Sequence, residues 1–341
     1  MINILRRHPR YLNRPADTFD FKTDSWGILF LNMGGPETVA DIKTYLYNIF
    51  SDRAIIRLPM SWLLQKPLAR LIAARRAPKA ARRYHEIGGG SPLLKWSLLQ
   101  AEGVEKALSG KYPQVETFVG MRYFRPYIGG ELETAMMTGR RHIVLFSMYP
   151  QYCLATTGTA LGEVVRWLND NPKTDMTVSL IDGWHDRPEY IALLKERIER
   201  AVEKVNRKSA KLVFSAHAVP RKLVQAGDPY LTQVRKTVAM LADGYDHILT
   251  FQSRTGPVAW IGPDTLTTVR ELGHQGVTDM VVVPISFISD HIETLHEIDI
   301  ELRETALACG VKRFVRTESF NDDPRFADFM AGLVEEKISG V

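Results

Sequence analysis

Two histidines and three acids follow directly after a strongly apolar run late in the chain. The run 281–288 leads into a segment that contains Asp290, His291, Glu293, His296 and Glu297. In open α/β sheets, a buried strand that ends in polar residues places them at the carboxyl edge, where such proteins carry out their chemistry. Helical steps of three and four put the three carboxylates on one face. A row of this kind can bind a cation or relay protons.

A third histidine, His217, ends the apolar run 211–216. About 75 residues separate it from Glu293, a spacing that fits two neighbouring parallel strands in one sheet. Because neutral imidazole can coordinate a transition metal or accept a proton, His217 is a candidate ligand or base. Two alternatives stay open. His217 can be a histidine bonded to backbone at a strand end, and Asp290 with Glu293 can be the capping box of a helix.

The composition limits the class of protein. The chain has 341 residues with 44 Lys and Arg against 39 Asp and Glu, a mildly basic balance that suits an anionic ligand or membrane face and does not specify nucleic acid. Its cysteines are Cys153 and Cys309, with no CxxC pair, so we expect neither a disulfide framework nor a cysteine-rich metal site, and we expect a cytoplasmic protein. No apolar stretch reaches the roughly 18 residues of a membrane span. The basic start has no apolar core behind it, which argues against a signal peptide.

Short apolar runs alternate with amphipathic segments, which predicts an α/β fold built on parallel sheets. The predicted strands are 27–33, 117–121, 143–148, 177–181, 211–216, 247–251, 280–287 and 313–315. The predicted helices are 41–50, 93–108, 163–169, 190–205, 231–241 and 292–308, with a late helix near 323–337 that packs back on either half. A turn at 169–172 suggests two similar halves, 25–172 and 173–341, after a loosely ordered arm at 1–24.

Four further segments suggest a pocket. Residues 55–79 combine dense apolar side chains with arginines, which favours contact with a lipid interface or a flat apolar anion; a buried helix with a basic solvated end is the open alternative. The glycine-rich loop 84–93 can hold a carboxylate through its amides and Ser91, or can be a loop without a ligand. Segments 120–123 and 252–260 set arginines and aromatics just past strand ends. The turn 32–38 is not GxGxxG, so nucleotide binding has little support.

Taken together, these motifs resemble the ferrochelatase family, whose members insert Fe²⁺ into a porphyrin to make haem. The resemblance runs in order from Gly27 to about Arg303, through LNMGGPET, YLYNIFSDRAIIRLP, YHEIGGGSP, GMRY, YPQY, FSAHAVP, FQSRTGPVAW and SDHIETLHEID. It implies two Rossmann-like halves, each a parallel sheet flanked by helices, with a porphyrin cleft between them.

The resemblance also implies roles for individual residues. His217 and Glu293 match the metal-site histidine and the catalytic acid, and Asp290, His291 and Glu297 are expected to relay protons or metal. In that family, the helix after the last catalytic strand carries a π-type turn, which here would draw His291, Glu293 and Glu297 into one row. The implied porphyrin-binding residues are Met33, Arg76, Lys79, Tyr84, Ser91, Arg122, Tyr123, Ser253 and Trp260. The expected substrates are protoporphyrin IX and Fe²⁺, the product is haem, and no other cofactor is expected.

Two departures refine this expectation. Some members hold an iron–sulfur cluster on several cysteines, but two cysteines cannot supply four ligands, so we predict no cluster. The apolar, basic lip at 58–79 resembles that of members that use dicarboxylate protoporphyrin and predicts peripheral contact with the inner face of a membrane. The alternatives are a carrier of haem or porphyrin that does no chemistry, and a chelatase for another tetrapyrrole such as coproporphyrin. The sequence leaves the oligomeric state open.

Overall fold

The structure, a computed structural model, describes residues 19–56 and 60–340. Each of the eight predicted apolar runs forms a strand. The strands are β1 (Trp26–Asn32), β2 (Val115–Met121), β3 (His142–Ser147), β4 (Thr177–Ile181), β5 (Ala210–His217), β6 (His247–Gln252), β7 (Asp279–Pro284) and β8 (Arg313–Arg316). Every residue of β1, β3 and β7 is buried. Their near-continuous apolar sequences are those of strands covered on both faces.

The strands form two four-stranded parallel sheets with the same internal order. One sheet runs β2-β1-β3-β4 and the other β6-β5-β7-β8, so the first strand of each set lies between the second and the third. Crossover helices make such parallel neighbours possible. The predicted α/β fold with two Rossmann-like sheets is confirmed.

Most of the predicted helices are present. The helices are α1 (Ile42–Ser51), α2 (Ser61–Glu86), α3 (Leu93–Ser109), α4 (Ile128–Met137), α5 (Thr159–Asp170), α6 (Pro188–Val202), α7 (Arg221–Gln225), α8 (Tyr230–Leu241), α9 (Thr265–His274), α10 (Ile292–Leu295), α11 (Arg303–Ala308) and α12 (Pro324–Ile338). Helices α4, α7 and α9 were not predicted. Helix α4 contains adjacent glycines and α9 is rich in β-branched threonine, so local propensity argues against both.

The chain divides into two compact units at a different place from the one predicted. Unit 1 comprises Met1–Gly183 and Asn321–Val341, and unit 2 comprises Trp184–Phe320. The division predicted at 172/173 is wrong for β4, which pairs with β3 in the sheet of unit 1. The late helix was predicted to pack on either half, and α12 packs on α3 of unit 1. Just past α3, Lys111 pairs with Glu335 of α12 at 2.7 Å.

Each unit has its own apolar core. In unit 1, side chains of β1 and β3 pack against α4 and α5, with Leu29, Ile143 and Val164 fully or almost fully buried. In unit 2, β5 and β7 pack against α9 and the segment after α10, with Val213, Val282 and Ile298 buried in the same way. These cores hold the carboxyl ends of the strands in place.

The predicted N-terminal arm is wrong over its last six residues. Residues 1–18 lie outside the described part of the chain, whereas residues 19–24 form a turn against the sheet of unit 1. The rings of Phe21 and Trp26 meet edge to face at 5.2 Å, and the Trp26 indole donates to the Phe21 carbonyl. The helices of the described ranges include none that is long and apolar enough to cross a membrane.

Candidate active site

His217 is the last residue of β5, and its backbone is held by two hydroxyl groups. The Tyr230 hydroxyl donates to the His217 carbonyl at 2.9 Å and lies 2.7 Å from the Ser286 hydroxyl. The His217 N–H in turn donates to Ser286 Oγ at 3.3 Å. Neither supporting residue was predicted, because Tyr230 begins α8 and Ser286 follows β7, so only the tertiary fold shows that they meet.

The imidazole of His217 pairs with the carboxylate of Glu293. His217 Nδ1 lies 2.8 Å from Glu293 Oε2, and the two side chains are 37% and 16% exposed. Since β5 and β7 are neighbours, the prediction that both residues reach one sheet edge is confirmed. Because Nδ1 donates to the carboxylate, Nε2 is the ring atom left to face a ligand.

The acidic row continues from Glu293 to Glu297 through Ser253. The Ser253 hydroxyl lies 2.8 Å from Glu293 Oε2 and 2.5 Å from Glu297 Oε2. Gln252 donates its amide to the Glu293 carbonyl at 3.0 Å and to Glu297 Oε2 at 3.2 Å. The structure thus places Ser253 in the acidic row, where its hydroxyl contacts both carboxylates.

Ser253 holds this position in a left-handed backbone conformation. Its φ is 65°, a region that non-glycine residues rarely enter and that costs free energy unless the surroundings enforce it. Residue 253 directly follows β6, whose Gln252 pairs in register with His217. The turn therefore aims a hydroxyl at both carboxylates immediately beside the histidine.

His291 flanks Glu293 on its other oxygen. His291 Nδ1 donates to the Ser289 carbonyl at 3.0 Å, so its Nε2 carries the lone pair and lies 4.0 Å from Glu293 Oε1. The Phe287 ring stands between the two histidines, with centroid distances of 4.6 Å to His291 and 6.4 Å to His217. Phe287 lay inside a predicted strand, and that prediction gave no reason to assign it to the site.

The helix that carries these residues is interrupted, as the resemblance implied. Helix α10 ends at Leu295, and Glu297–Leu302 is a π-helix before α11 begins. The predicted π-type turn is confirmed. The alternative of a capping box between Asp290 and Glu293 is wrong, because α10 begins after His291, whose N–H donates to Thr294 Oγ1 at 3.0 Å. The Glu293 side chain is therefore directed to His217.

Asp290 lies outside the row formed by Glu293 and Glu297. It pairs with Arg316 at 3.0 Å and accepts hydrogen bonds from the hydroxyls of Thr294 and Ser319. The predicted shared face of three carboxylates, with Asp290 in the relay, is thus wrong for Asp290.

Burial and neighbouring charges shift the pKa values of the site residues in opposite directions. Burial acts to lower the pKa of His217, but the adjacent Glu293 carboxylate outweighs it and the pKa is raised. Burial acts to raise the pKa of Glu293, but the charge and hydrogen bond of His217 hold it well below its usual range. For His291, burial prevails and the pKa is lowered. The site therefore favours a proton on His217 beside the Glu293 carboxylate, and it favours the neutral form of His291.

In unit 1, two predicted porphyrin contacts are engaged within the protein. Tyr123 is 2% exposed, is enclosed by a cluster that includes Tyr45 and Phe124, and donates its hydroxyl to Asp52 at 2.8 Å. Burial, followed by the Asp52 charge, raises its pKa, so it stays a neutral phenol. The structure thus encloses this ring within unit 1, and its contact with a macrocycle stays a prediction. Arg122 also pairs with Asp52, at 2.7 Å.

The other predicted porphyrin contacts differ in exposure. Met33 is half-buried against the cluster around Tyr123. Arg76 and Lys79 are exposed on α2, with the Arg76 guanidinium 5.2 Å from the centre of the Phe50 ring. The structure buries the Tyr84 side chain. Ser91 and Trp260 are partly exposed. The Ser91 hydroxyl accepts a hydrogen bond from the Leu93 N–H at 3.3 Å, and the Trp260 backbone forms an isolated antiparallel β-bridge with Pro220.

Within residues 19–56 and 60–340, no three His, Cys, Asp or Glu side chains are arranged to hold a metal ion. His217 and Glu293 instead close on each other. What the geometry offers is a hydrogen-bonded series of titratable groups, with one imidazole face exposed, at the carboxyl edge of a parallel sheet. Such a series can accept and pass protons beside a bound ligand.

The fold corresponds to that of solved chelatase structures. The sirohydrochlorin chelatase SirB from Bacillus subtilis subspecies spizizenii, in complex with cobalt, matches with a TM-score of 0.53 over 93% of this chain and 96% of that chain. At 12% identity this likeness concerns the fold alone. It defines the chain as an α/β protein of the two-sheet kind that chelatases use.

The sequence comparisons define the family. The ferrochelatase family model matches residues 25–338. The ferrochelatase of Rippkaea orientalis is 39% identical over 322 residues, covering 92% of this chain and 83% of that protein. The ferrochelatase of Gloeobacter violaceus is 41% identical over 319 residues, covering 92% and 97%. The chain belongs to the ferrochelatase family.

Proposed function

We propose that this protein is a lyase that inserts Fe²⁺ into protoporphyrin IX to form haem, the terminal step of haem biosynthesis. The observation that carries the proposal is the 2.8 Å pair of His217 and Glu293, which Ser253 extends to Glu297. Membership of the ferrochelatase family supports iron and a porphyrin as substrates and haem as the product.

The chemistry requires proton removal. A free porphyrin carries two N–H protons, and the net reaction exchanges them for one Fe²⁺, with no redox step. The flat ring shields its nitrogens, so it must bend before metal enters, at a cost offset by binding of the rest of the macrocycle. The protein must then take up two protons beside the ring and pass them away.

The residues of unit 2 are suited to that task. His291 Nε2 is a neutral nitrogen beside Glu293, and Glu293 is an ionised acceptor held by His217. A hydroxyl has one proton to donate, so Ser253 can donate to only one of its two carboxylate neighbours at a time. When it donates to Glu293, a proton on Glu297 completes the 2.5 Å contact. We therefore assign Glu293 as proton acceptor and Ser253 with Glu297 as its outlet.

His217 is proposed to face the incoming metal. Its Nε2 is the ring nitrogen not used by Glu293, and the ring is the most exposed part of the pair. Neutral imidazole nitrogen is a good ligand for Fe²⁺, so His217 can bind the metal once Nε2 has given up its proton, and the porphyrin nitrogens supply the remaining ligands as the metal enters. The residues that stay predicted contacts of the macrocycle are Met33, Arg76, Lys79, Tyr84, Ser91, Arg122, Tyr123, Ser253 and Trp260.

Turnover distinguishes an enzyme from a carrier. Protein is mixed anaerobically with excess protoporphyrin IX and Fe²⁺ or Zn²⁺, and the loss of porphyrin fluorescence is followed against a control without protein. The proposal requires consumption of many equivalents of porphyrin per protein. Consumption that stops at one equivalent would indicate a carrier. Coproporphyrin consumed in preference to protoporphyrin would reassign the substrate.

The exposed surface of α2 supports a dicarboxylate porphyrin as the substrate and a peripheral membrane location for the protein. Its first turn exposes Trp62 at 74% and Leu63 at 58%, and Arg70 and Arg75 are exposed further along the same helix. Of the predicted lip, residues 58 and 59 lie outside the described part of the chain. Exposed aromatic and aliphatic side chains next to arginines are the features of a surface that inserts between anionic lipids. We propose that this lip meets the inner face of a membrane from the cytoplasm.

Vesicle sedimentation tests the membrane contact. The double variant Trp62→Ser, Leu63→Ser is expected to bind anionic vesicles at least about tenfold more weakly, because two large apolar side chains leave the lipid. Met137→Ser removes a 78% exposed apolar side chain from α4 and serves as the matched control. Equal sedimentation of the wild type and the double variant would refute a membrane role for this surface.

We propose that the protein holds no iron–sulfur cluster. Cys153 is buried in unit 1 and Cys309 is half-buried in unit 2, and the chain has no others to complete a set of four ligands. Protein purified anaerobically is expected to show no visible absorbance of such a cluster and no acid-labile sulfide. Stoichiometric sulfide with broad absorbance near 400–450 nm, roughly the region where thiolate-ligated clusters absorb, would contradict this.

A further inference from the structure

Arg316, the last residue of β8, joins both ends of the segment that carries Glu293 and Glu297. Its guanidinium binds Asp299, inside the π-helix, with Nε at 2.9 Å from Oδ1 and Nη2 at 2.8 Å from Oδ2. Its Nη1 lies 3.0 Å from Asp290 Oδ1, just before α10. The Arg316 side chain is only 11% exposed. We propose that Arg316 is a positioning residue that sets the place of the acidic row for the reaction proposed above, on which this inference rests.

The two aspartates bracket the acids that face His217. Asp290 precedes Glu293 and Asp299 follows Glu297, so one guanidinium fixes the chain on both sides of the row. Ser319 strengthens the first anchor, since its hydroxyl donates to Asp290 Oδ1 at 2.8 Å. Arg316 Nη1 also lies 3.3 Å from Ser319 Oγ and from the Thr317 carbonyl. The N–H groups of the Arg316 guanidinium thus contact acceptors on both sides of the acidic row.

A π-helix needs such external support. The wider turn is intrinsically unfavourable and is found mainly where tertiary contacts enforce it, often at functional sites. A buried ion pair adds little net stability, but its geometry is specific, and only arginine offers a planar fork that binds a carboxylate through two nitrogens. Lysine would keep the charge but lose the fork, so it could not hold both aspartates as the guanidinium does.

The test compares Arg316→Lys with Arg313→Lys. Arg313 lies at the other end of β8 and pairs with Asp279, so its replacement matches strand, charge and chemistry without touching the acidic row. Arg316→Lys is expected to lower kcat for protoporphyrin metallation about 10- to 100-fold, with KM changed less than about twofold, because small misplacement of catalytic groups is costly. Hydrogen exchange of residues 290–302 is expected to accelerate in the free Arg316→Lys protein, and that of residues 210–217 to stay unchanged.

Two results would overturn the proposal. One is a kcat of Arg316→Lys within about twofold of wild type, a margin small beside the loss that misplacement causes. The other is a lower kcat with unchanged hydrogen exchange of residues 290–302. If Arg316→Lys does not fold, Asp299→Asn decides by the same two readouts. The exchange measurement needs no turnover. A wild type that consumes no porphyrin would therefore refute the proposed function, while the exchange data would still show whether Arg316 orders the segment.

Discussion

Glu293→Gln is expected to lower the rate of metal insertion by about three orders of magnitude, within the range that a positioned proton acceptor contributes. Glutamine keeps the shape of the side chain and can still accept the His217 Nδ1–H, so the fold is expected to survive. It cannot take up a proton from the porphyrin. Porphyrin binding, followed by fluorescence at equilibrium, is expected to stay within about threefold of wild type, since the lost interaction acts mainly in the transition state.

The control is Glu304→Gln, which neutralises an exposed acid on α11. It is expected to keep full activity, which separates the loss of Glu293 from a general change in charge. An active Glu293→Gln protein would remove Glu293 from the proton path and leave His291 as the candidate.

The same variant is expected to reverse the pKa shift of His217. In the wild type, the Glu293 carboxylate overcomes the effect of burial and raises the pKa of His217. Without that charge, burial prevails and the pKa falls below the ordinary value of about 6.5. Chemical shifts of ¹³C-labelled histidine across pH 4–9 measure this, roughly the range that brackets the ordinary histidine pKa.

The dependence of stability on pH follows from these two shifts. The raised pKa of His217 stabilises the fold below the ordinary histidine pKa, and this contribution is lost as pH rises through the folded value. The lowered pKa of Glu293 stabilises it above the ordinary glutamate pKa, and this contribution is lost as pH falls. The stability difference between wild type and Glu293→Gln is therefore expected to be largest between about pH 4.3 and 6.5.

The second large effect concerns His217, for which two substitutions separate two roles. The amide nitrogen of asparagine takes the place of Nδ1, so His217→Asn retains a donor to Glu293 and removes only Nε2. It is expected to fold with near wild-type stability and to lose about 100-fold or more in kcat, because the group that faces the metal is gone. His217→Ala removes both and leaves Glu293 without its main partner.

Thermal unfolding and kinetics together measure this pair. His217→Ala is expected to lose on the order of 1–3 kcal/mol more stability than His217→Asn, the usual cost of a buried polar group left without a partner. His274→Asn, on the exposed end of α9, is the control for histidine replacement. If His217→Asn retained activity, Nε2 would have no role, and the metal would have to enter from the side of Glu293.

The sequence predicted the parts of the site that depend on strand order. His217 ends β5 and Glu293 follows β7, and because β5 and β7 are parallel neighbours their carboxyl ends lie at the same edge of the sheet. The family resemblance added the π-helical segment, for which nothing in the hydrophobic pattern gives a signal. Strands β1, β3 and β7 were found because fully buried strands are almost continuously apolar.

The errors have tertiary causes. Asp290 was grouped with Glu293 and Glu297 because helical spacing alone ignores Arg316, whose side chain arrives from a later strand. Tyr123 was assigned to the porphyrin pocket from the resemblance, and the motif gave no sign that its ring is buried and its hydroxyl bonded to Asp52. The turn at 169–172 resembled a linker but only joins α5 to β4, and nothing local shows that α12 returns to α3.

The most direct test of the central claim is a single-turnover experiment. Protein with one equivalent of bound protoporphyrin is mixed anaerobically with Fe²⁺, while porphyrin absorbance and an indicator of released protons are recorded together. Wild type is expected to convert the porphyrin to haem within the time of one turnover and to release two protons per haem. Glu293→Gln is expected to hold the porphyrin unmetallated. Equal rates of metallation in the two proteins would contradict the account.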